Sequence, residues 1–268
     1  MGHDKLRKFA ENETFRCLLQ PSAADILGEG GFFNLTDQPV KGRWTPEVFP
    51  SAGPLTLELG CGKGEYTLEL ARRNPSCNFV GVDIKGARLW RGAKTATEEP
   101  VPNAAFLRTR VEFLTALFAP SEVSQIWLTF SDPQYRSANS RLTAPGFLER
   151  YRSVMKPGGV VHLKTDSRFL HEYTKAVVEA NSLKVLACTE DLYATKGLDA
   201  SLYEVQTFYE KMFLEQGYGI TYISFVIDHD GPYVAPACFD EEYWRAVEGP
   251  RLLFGHDSAE TRRRKMSE

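Results

Sequence analysis

The stretch Leu57-Glu58-Leu59-Gly60-Cys61-Gly62-Lys63-Gly64 decides how the rest of the chain is interpreted. It continues an apolar run that begins at Leu55, and residues 65–73, which follow it, have the spacing of an amphipathic helix. Three glycines, each two residues from the next, allow the backbone to turn sharply and to approach a ligand closely. The stretch therefore predicts a ligand-binding turn between a buried strand and a helix.

Apolar strands alternate with helical segments outward from this turn. The predicted strands are 55–59, 78–83, 104–107, 122–130, 160–165, 183–189 and 218–227. The predicted helices are 65–73, 86–98, 111–118, 145–155 and 168–180, with a short one near 239–248. Strands separated by helices favour an α/β fold with a doubly wound, mostly parallel seven-stranded sheet. Ligands bind to such sheets at the carboxyl ends of the strands.

The same pattern divides the chain into three parts. Residues 1–52 are irregular and are predicted to form an N-terminal arm, whose aromatic residues pack on the main domain. Residues 53–230 hold the predicted sheet and are expected to form the main domain. Residues 231–268 are predicted to be a C-terminal tail, and its basic run Arg262-Arg263-Arg264-Lys265 is expected to be a solvated end.

Composition excludes several classes of protein. With 268 residues, 43% of them hydrophobic, the chain can bury one sizeable core. Neither the five cysteines nor the five histidines are spaced as metal ligands or as a disulfide framework, so no metal is expected. The chain lacks both a signal peptide and an apolar run of the ~18 residues that span a membrane, so a cytoplasmic protein is expected. The net charge of −3 means that any contact with nucleic acid must come from local basic patches.

The glycine spacing distinguishes between two kinds of cofactor. Gly60, Gly62 and Gly64 follow a Gly-x-Gly-x-Gly pattern, whereas a dinucleotide fingerprint has its third glycine one residue later, where Glu65 stands. Glu58 and Glu65 flank the turn and would repel a pyrophosphate. Two acids suit a cofactor that carries an amine and a sulfonium, which are both cationic.

Asp83 ends the second predicted strand, where a carboxylate can accept hydrogen bonds from both hydroxyls of a ribose. Together with the turn, it resembles the signature of the class I S-adenosylmethionine-dependent methyltransferases. The resemblance implies S-adenosylmethionine as the cofactor, bound by Glu58, the three glycines and Asp83. A tight structural turn beside a surface acid, or the turn of a dehydrogenase, is the alternative interpretation.

The fourth predicted strand delivers Asp132 to the carboxyl edge of the sheet, and Arg136, Asn139 and Arg141 follow it. A carboxylate followed by a basic, polar loop is suited to contact a base with the acid and to hold phosphates with the arginines. A strand that simply ends in an Asp-Pro turn is the alternative interpretation of this segment.

Three motifs resemble those of the bacterial tRNA (guanine-N7)-methyltransferase family, over roughly residues 54–228. The segment Phe130-Ser131-Asp132-Pro133…Asn139-Ser140-Arg141-Leu142 resembles the family's Phe-Pro-Asp-Pro…Asn-Lys-Arg-Arg loop. His162-Leu163-Lys164-Thr165-Asp166 resembles the Thr-Asp that ends strand five in the family. Thr207-Phe208-Tyr209-Glu210 resembles the family's Thr-x-Phe-Glu segment before the last strand.

The resemblance implies methylation of guanine N7 in the variable loop of tRNA, so tRNA is the expected partner. Asp132 would be catalytic and would also face the cofactor. The residues implied to contact the guanosine or its surroundings are Arg136, Asp166, Thr207, Phe208, Tyr209 and Glu210. Asn139 and Arg141 would contact the RNA.

This chain also departs from the family at several positions. Ser131 replaces a proline, Gln134 replaces the usual tryptophan, and Arg136 stands where lysine is common. Thr109, which is a further candidate cofactor contact, ends the third strand, where the family tends to place an acid or an amide beside the adenine. Two other functions therefore remain as alternatives: a methyltransferase that acts on a small molecule or a protein, and an inactive subunit that binds S-adenosylmethionine. A monomer and a homodimer are both compatible with the sequence.

Overall fold

The computed structural model describes residues 2–249, so the basic run at 262–265 lies outside the described residues. Within the described part, eight strands form one sheet in the order β1-β4-β3-β2-β5-β6-β8-β7. The strands are β1 (Leu18–Leu19), β2 (Leu55–Leu59), β3 (Asn78–Asp83), β4 (Ala104–Arg108), β5 (Val123–Thr129), β6 (Met155–Thr165), β7 (Val185–Thr189) and β8 (Thr221–Val226). Strands β1 to β6 pair in parallel, whereas β8 is antiparallel to both β6 and β7.

Helices cover both faces of the sheet. They are α1 (Gly2–Asn12), α2 (Ala23–Leu27), α3 (Trp44–Glu47), α4 (Glu65–Arg73), α5 (Gly86–Glu98), α6 (Leu114–Leu117), α7 (Pro145–Val154), α8 (Arg168–Ala180), α9 (Ala200–Glu204), α10 (Phe208–Glu215) and α11 (Glu241–Glu248). Three single 3₁₀ turns lie at Gly31–Phe33, Val111–Phe113 and Ala138–Ser140. None of the helices between residues 2 and 249 is long and apolar enough to cross a membrane.

The central strands supply side chains to two separate apolar cores. In β5, Ile126 and Leu128 pack into the core on one face, whereas Trp127 packs into the core on the other. Successive side chains of a strand point to opposite faces, so a strand buried on both sides is apolar throughout. The predicted doubly wound α/β fold is therefore confirmed. Strands β3 and β4 lie on one side of β2, and β5 and β6 lie on the other side, so the strand order reverses at β2. Ligands bind at such a switch point.

The N-terminal arm extends into the sheet, which has eight strands and not the predicted seven. Leu18 and Leu19 pair in parallel with Phe106 and Leu107 of β4 and form an additional edge strand. A strand of two residues has no periodicity by which a sequence pattern could reveal it. The arm also packs on the main domain through Trp44, whose indole N–H donates to the Leu117 carbonyl at 3.0 Å.

Two other segments differ from the sequence prediction. The helix predicted over 145–155 ends at Val154, and residues 156–159, which no predicted element covers, lie within β6 as a bulge, because β5 pairs with Met155 and next with Val160. The bulge contains Gly158 in the left-handed region, with φ of 75°. Between β7 and β8 the chain forms α9 and α10, which the sequence analysis did not predict as helices.

Candidate active site

The glycine turn has the backbone conformation that its sequence predicts. Gly60, Gly62 and Gly64 all lie in the left-handed region, with φ of 80°, 59° and 72°. A β-carbon on Gly64 would lie 2.3 Å from the Phe106 ring, whereas one on Gly60 or Gly62 would meet no protein atom within 4 Å. Gly64 is therefore required for packing of α4 against β4. Gly60 and Gly62 instead border open space, where a ligand can approach the backbone closely.

Asp83 at the end of β3 holds the glycine turn in place. One carboxylate oxygen accepts from the Gly62 backbone N–H at 3.0 Å, and the other accepts from the Lys85 N–H at 2.7 Å. A carboxylate has about four positions at which it accepts hydrogen bonds. Asp83 therefore orders the turn and keeps acceptor capacity for hydroxyl groups of a ligand.

Glu58 lies beneath the turn as a buried acid. Its carboxylate accepts hydrogen bonds from the backbone N–H of Thr67 at 2.9 Å and from the hydroxyls of Thr67 and Thr129. Burial raises the pKa of Glu58 to about 7, and the hydroxyl donors act in the opposite direction. The charge of Glu58 therefore changes near neutral pH, and a cation bound nearby would favour the ionised form.

One large cavity, of about 1400 Å³, lies at the carboxyl edge of the sheet. Pockets for a single small ligand measure about 300–1000 Å³, so this cavity has space for a cofactor and a substrate group together. The predicted site residues that line it are Gly60, Asp83, Thr109, Asp132, Arg136, Asn139, Asp166 and Tyr209. A smaller recess beside it is lined in part by Glu58, Gly62 and Thr207.

Two hydroxyl groups that line the cavity have no hydrogen-bond partner among residues 2–249. They are Thr109 Oγ1, at the end of β4, and Ser131 Oγ, just after β5. Buried polar atoms almost always have partners in native proteins. Both hydroxyls are thus available to a ligand, and both belong to residues at which the sequence departs from the family pattern.

The backbone around Asp132 is strained. Phe130 and Gln134, on either side of Asp132 and Pro133, have φ of 51° and 50°. Left-handed conformations of bulky residues cost of order 1–3 kcal/mol each and cluster at functional sites. Asp132 is exposed to the cavity, and its carboxylate accepts from the Gln134 N–H at 2.9 Å. The strained turn directs the Asp132 side chain into the cavity.

Arg141 was predicted to contact RNA, but its side chain points into the protein. Its guanidinium is fully buried, pairs with Glu241 of α11 at 2.8 Å, and lies over the rings of Phe169 and Tyr173. A buried guanidinium does not reach RNA in this arrangement. The 3₁₀ turn at Ala138–Ser140 leaves Asn139 exposed on the cavity side and Arg141 directed inward.

The structure places the four residues of the Thr207–Glu210 segment in three different environments. Thr207 caps α10 by accepting from the Glu210 N–H at 3.1 Å, and Thr207 and Tyr209 line the recess. Phe208 is exposed, and its N–H donates to Glu65 at 2.8 Å. Glu210, predicted to contact guanosine, is fully buried and pairs with Lys164 at 2.8 Å. Its carboxylate lines neither space.

The structure also adds basic residues that the motifs did not identify as site residues. Lys85, Arg88, Arg110 and Arg245 all line the large cavity. In the sequence, Lys85, Arg88, Arg91 and Lys94 lie three residues apart, so the basic stripe that contains Lys85 and Arg88 is recognisable without the structure. Arg245 comes from α11, far along the chain, and no local pattern identifies it. Within residues 2–249 there is no group of three His, Cys, Asp or Glu that could hold a metal.

Comparison with known proteins decides the family. A family model described as "Putative methyltransferase" matches residues 52–222, more than half of the chain. The tRNA (guanine-N(7)-)-methyltransferase of Christiangramia forsetii is 48% identical, over 84% of this chain and 98% of that protein. The enzyme of the same name from Bacteroides thetaiotaomicron is 45% identical, over 88% and 90%. This chain belongs to the tRNA (guanine-N(7)-)-methyltransferase family.

Membership of the tRNA (guanine-N(7)-)-methyltransferase family confirms the resemblance drawn from the three motifs. Solved structures show the same fold at much lower identity. The 16S rRNA methyltransferase KamB is 17% identical with a TM-score of 0.54, over 71% of this chain and 95% of that one. The 16S rRNA (adenine(1408)-N(1))-methyltransferase of Catenulisporales acidiphilia is also 17% identical, with a TM-score of 0.50, over 74% and 97%.

The glycine turn of this family member gives a stability prediction. We expect Gly64→Ala to lower the free energy of unfolding by about 3 kcal/mol or more, because it adds a clash with Phe106 to the left-handed strain. Gly62→Ala carries the strain alone and should cost about 1–2 kcal/mol. Gly217→Ala, which has φ of 80° and open space around it, is the matched control outside the site. Urea unfolding of the three variants measures the difference, and equal losses for Gly64→Ala and Gly62→Ala would contradict the packing role.

Proposed function

We propose that this protein transfers a methyl group from S-adenosylmethionine to N7 of a guanine in the variable loop of tRNA. One observation carries the proposal: Gly60 of the glycine turn and Asp83, which suit the cofactor, line the same cavity as Asp132, Asp166 and Arg136, which suit a guanosine. The names of the relatives favour the same substrate. A tRNA substrate also favours a cytoplasmic location, as do the free cysteines of the described residues.

The residues present fit S-adenosylmethionine. Asp83 would accept hydrogen bonds from the ribose hydroxyls, and the unpartnered hydroxyl of Thr109 would bond to the adenine. The turn at Gly60 and Gly62 would lie against the cofactor, with Glu58 in the recess close to its cationic end. The cofactor supplies an electrophilic methyl group on its sulfonium when it is bound.

The protein groups at the other end of the cavity would act by alignment and by control of charge. Guanine N7 has an exposed lone pair in the ring plane, so no general base is needed to create the nucleophile. Positive charge develops on the purine as the bond to N7 forms. Asp132 and Asp166 would stabilise this charge and accept hydrogen bonds from the guanine N1–H and amino group. Arg136 and Asn139 would contact the phosphate backbone.

The proposal is tested by incubating the protein with labelled S-adenosylmethionine and unmodified bulk tRNA. We expect label in the RNA, recovered as 7-methylguanine. A tRNA transcript with adenosine in place of the variable-loop guanosine is the matched control, and it should remain unlabelled. Transfer to a small metabolite or a protein but not to tRNA would instead support the first alternative, and binding without any transfer would support the inactive subunit.

The titration of Glu58 gives a pH-dependence prediction. Because its pKa is raised to about 7, Glu58 is mostly protonated near pH 6 and mostly ionised near pH 8. Only the ionised form attracts a cation, so affinity for S-adenosylmethionine should rise with pH across this window, by at most about tenfold per pH unit. Calorimetry in buffers of different ionisation enthalpy should detect a released proton.

Glu58→Gln is the control for this titration. The variant retains any titration of the ligand's own α-amino group, which in amino acids and peptides occurs near pH 7.7–8.0. The variant should bind S-adenosylmethionine more weakly, and its affinity should lose the part of the pH dependence that comes from Glu58. An affinity that is flat from about pH 6 to 8 in the unmodified protein would contradict this role for Glu58.

A further inference from the structure

Helix α11 lies against the substrate side of the cavity, although it is distant in sequence from every motif described above. It packs on the N-terminal part of α8, and Arg245, together with Gly249 just after the helix, lines the cavity. We use the name substrate loop for residues 133–141, which carry Arg136 and Asn139. Helix α11 contacts this loop at two points.

Three charged residues of α11 make the contacts, and their spacing places them on one face of the helix. Glu241 pairs with Arg141 of the substrate loop at 2.8 Å. Arg245 donates to the carbonyl oxygen of Tyr135 in the same loop at 2.7 Å. Glu248 accepts from the Tyr135 hydroxyl.

Glu248 also joins the loop to α8. Its carboxylate accepts from the Phe169 N–H at 2.6 Å and from the Ser167 hydroxyl at 2.9 Å, at the N-terminus of α8. A carboxylate is favoured at a helix N-terminus, where free N–H groups and the helix dipole meet it. Ser167 directly follows Asp166, so the same carboxylate contacts two of the three segments that carry predicted guanosine-contacting residues.

The buried position of the Arg141 side chain depends strongly on α11. The Arg141 guanidinium is fully buried, and its Nε and Nη2 atoms have no hydrogen-bond partner among the described residues. A buried charge without a counter-ion is costly, so Glu241 and the rings of Phe169 and Tyr173 together stabilise it. The inward position of Arg141 is therefore linked to the docking of α11.

We propose that α11 positions the substrate loop for RNA binding, with Glu241, Arg245 and Glu248 as positioning residues. The helix holds the loop at Tyr135 and at Arg141, which flank the exposed pair Arg136 and Asn139. Fixing both ends lowers the entropy that the loop loses when it binds a phosphate backbone. The inference rests on the proposed function, because it assigns the loop to tRNA.

Glu241→Gln and Glu248→Gln test the proposal, with Glu242→Gln as the matched control because Glu242 is exposed on the same helix. Each test variant should raise the KM for tRNA by about ten- to a hundredfold, the range for one hydrogen bond to a charged group. The kcat at saturating tRNA and the KM for S-adenosylmethionine should stay within twofold of the unmodified protein. Glu242→Gln should change none of these quantities, and Glu248→Asp should restore part of the loss.

A lower KM for tRNA or a faster turnover in the test variants would overturn the proposal, because α11 would then cover the site instead of positioning the loop. A parallel loss of S-adenosylmethionine binding, or an equal loss in Glu242→Gln, would also overturn it. Tyr135→Phe offers a milder variant that keeps every charge, and combined with Glu248→Gln it should lose less than the sum of the two single losses.

Hydrogen exchange without RNA separates this inference from the proposed function. Amide exchange across residues 134–141 should be faster in Glu241→Gln and Glu248→Gln than in Glu242→Gln, whatever the substrate of the protein is. Unchanged exchange would overturn the positioning role. Absence of tRNA methylation by the unmodified protein would overturn the proposed function while leaving the exchange result to decide whether α11 orders the loop.

Discussion

Replacement of Asp132 by alanine is expected to lower kcat for tRNA methylation by about 10²–10³-fold, with little loss of tRNA binding. The carboxylate is exposed to the cavity, where positive charge would develop on the purine. Loss of one preorganised electrostatic contact to a transition state costs about 2.7–4 kcal/mol, which corresponds to this range. Phosphate contacts dominate the affinity of proteins for nucleic acids, so an acid at the base should contribute little to binding.

Single-turnover kinetics with saturating tRNA and a filter-binding assay measure the two quantities separately. Asp132→Asn keeps the size of the side chain and removes its charge, so its deficit isolates the electrostatic part. Asp230→Asn is the control, because Asp230 is an exposed acid that does not line the cavity. Weaker tRNA binding with normal turnover at saturation would show that Asp132 binds RNA and does not promote the reaction.

Replacement of Glu210 by alanine is expected to lower the free energy of unfolding by about 3–5 kcal/mol, the cost of breaking a buried ion pair. Glu210 and Lys164 are both fully buried, with 2.8 Å between Lys164 Nζ and Glu210 Oε1. The Tyr193 hydroxyl donates to the same carboxylate at 2.7 Å. Lys164 also donates to the carbonyl oxygens of Leu202 and Val205, so the pair ties α9 and α10 to β6.

The double variant Lys164→Met/Glu210→Leu should recover most of this stability, because an apolar pair of similar volume avoids a buried, unpaired charge. Burial already lowers the pKa of Lys164 while Glu210 acts in the opposite direction, so the lysine alone would lose its charge more easily. Glu215→Ala, on the exposed part of the same helix, should change the stability by less than about 0.5 kcal/mol.

Urea unfolding of the four proteins measures these differences. Together with a methylation assay, these differences distinguish two roles for Glu210: the contact with guanosine that the sequence motif implied, and a structural role in the ion pair with Lys164. An alanine variant with normal stability and impaired methylation would support the guanosine contact. Loss of stability, with recovery in the double variant, would support a role in holding Thr207 and Tyr209 at the recess.

The sequence by itself predicted the central sheet, the glycine turn and the family. Strands β2, β3 and β4 are buried along almost their whole length, so they are recognisable as largely apolar runs without any knowledge of their partners. Gly60, Gly62 and Gly64 were predictable for a similar reason. A sharp turn after a buried strand imposes a local backbone requirement that few residues other than glycine meet, and this requirement is visible in one short stretch.

Tertiary structure alone decided the directions of side chains and the contributions of distant segments. Arg141 and Glu210 match the motifs in sequence, yet both are buried, because their charges are compensated by Glu241 and Lys164. The strain at Phe130 and the contacts of α11 with the substrate loop also leave no local sequence pattern. The residue type determines which charge a side chain can carry. The direction of the side chain depends on which partner the fold places beside it. The cofactor turn was therefore predictable from sequence, whereas the residues that reach the substrate were determined only by the packing of distant parts of the chain.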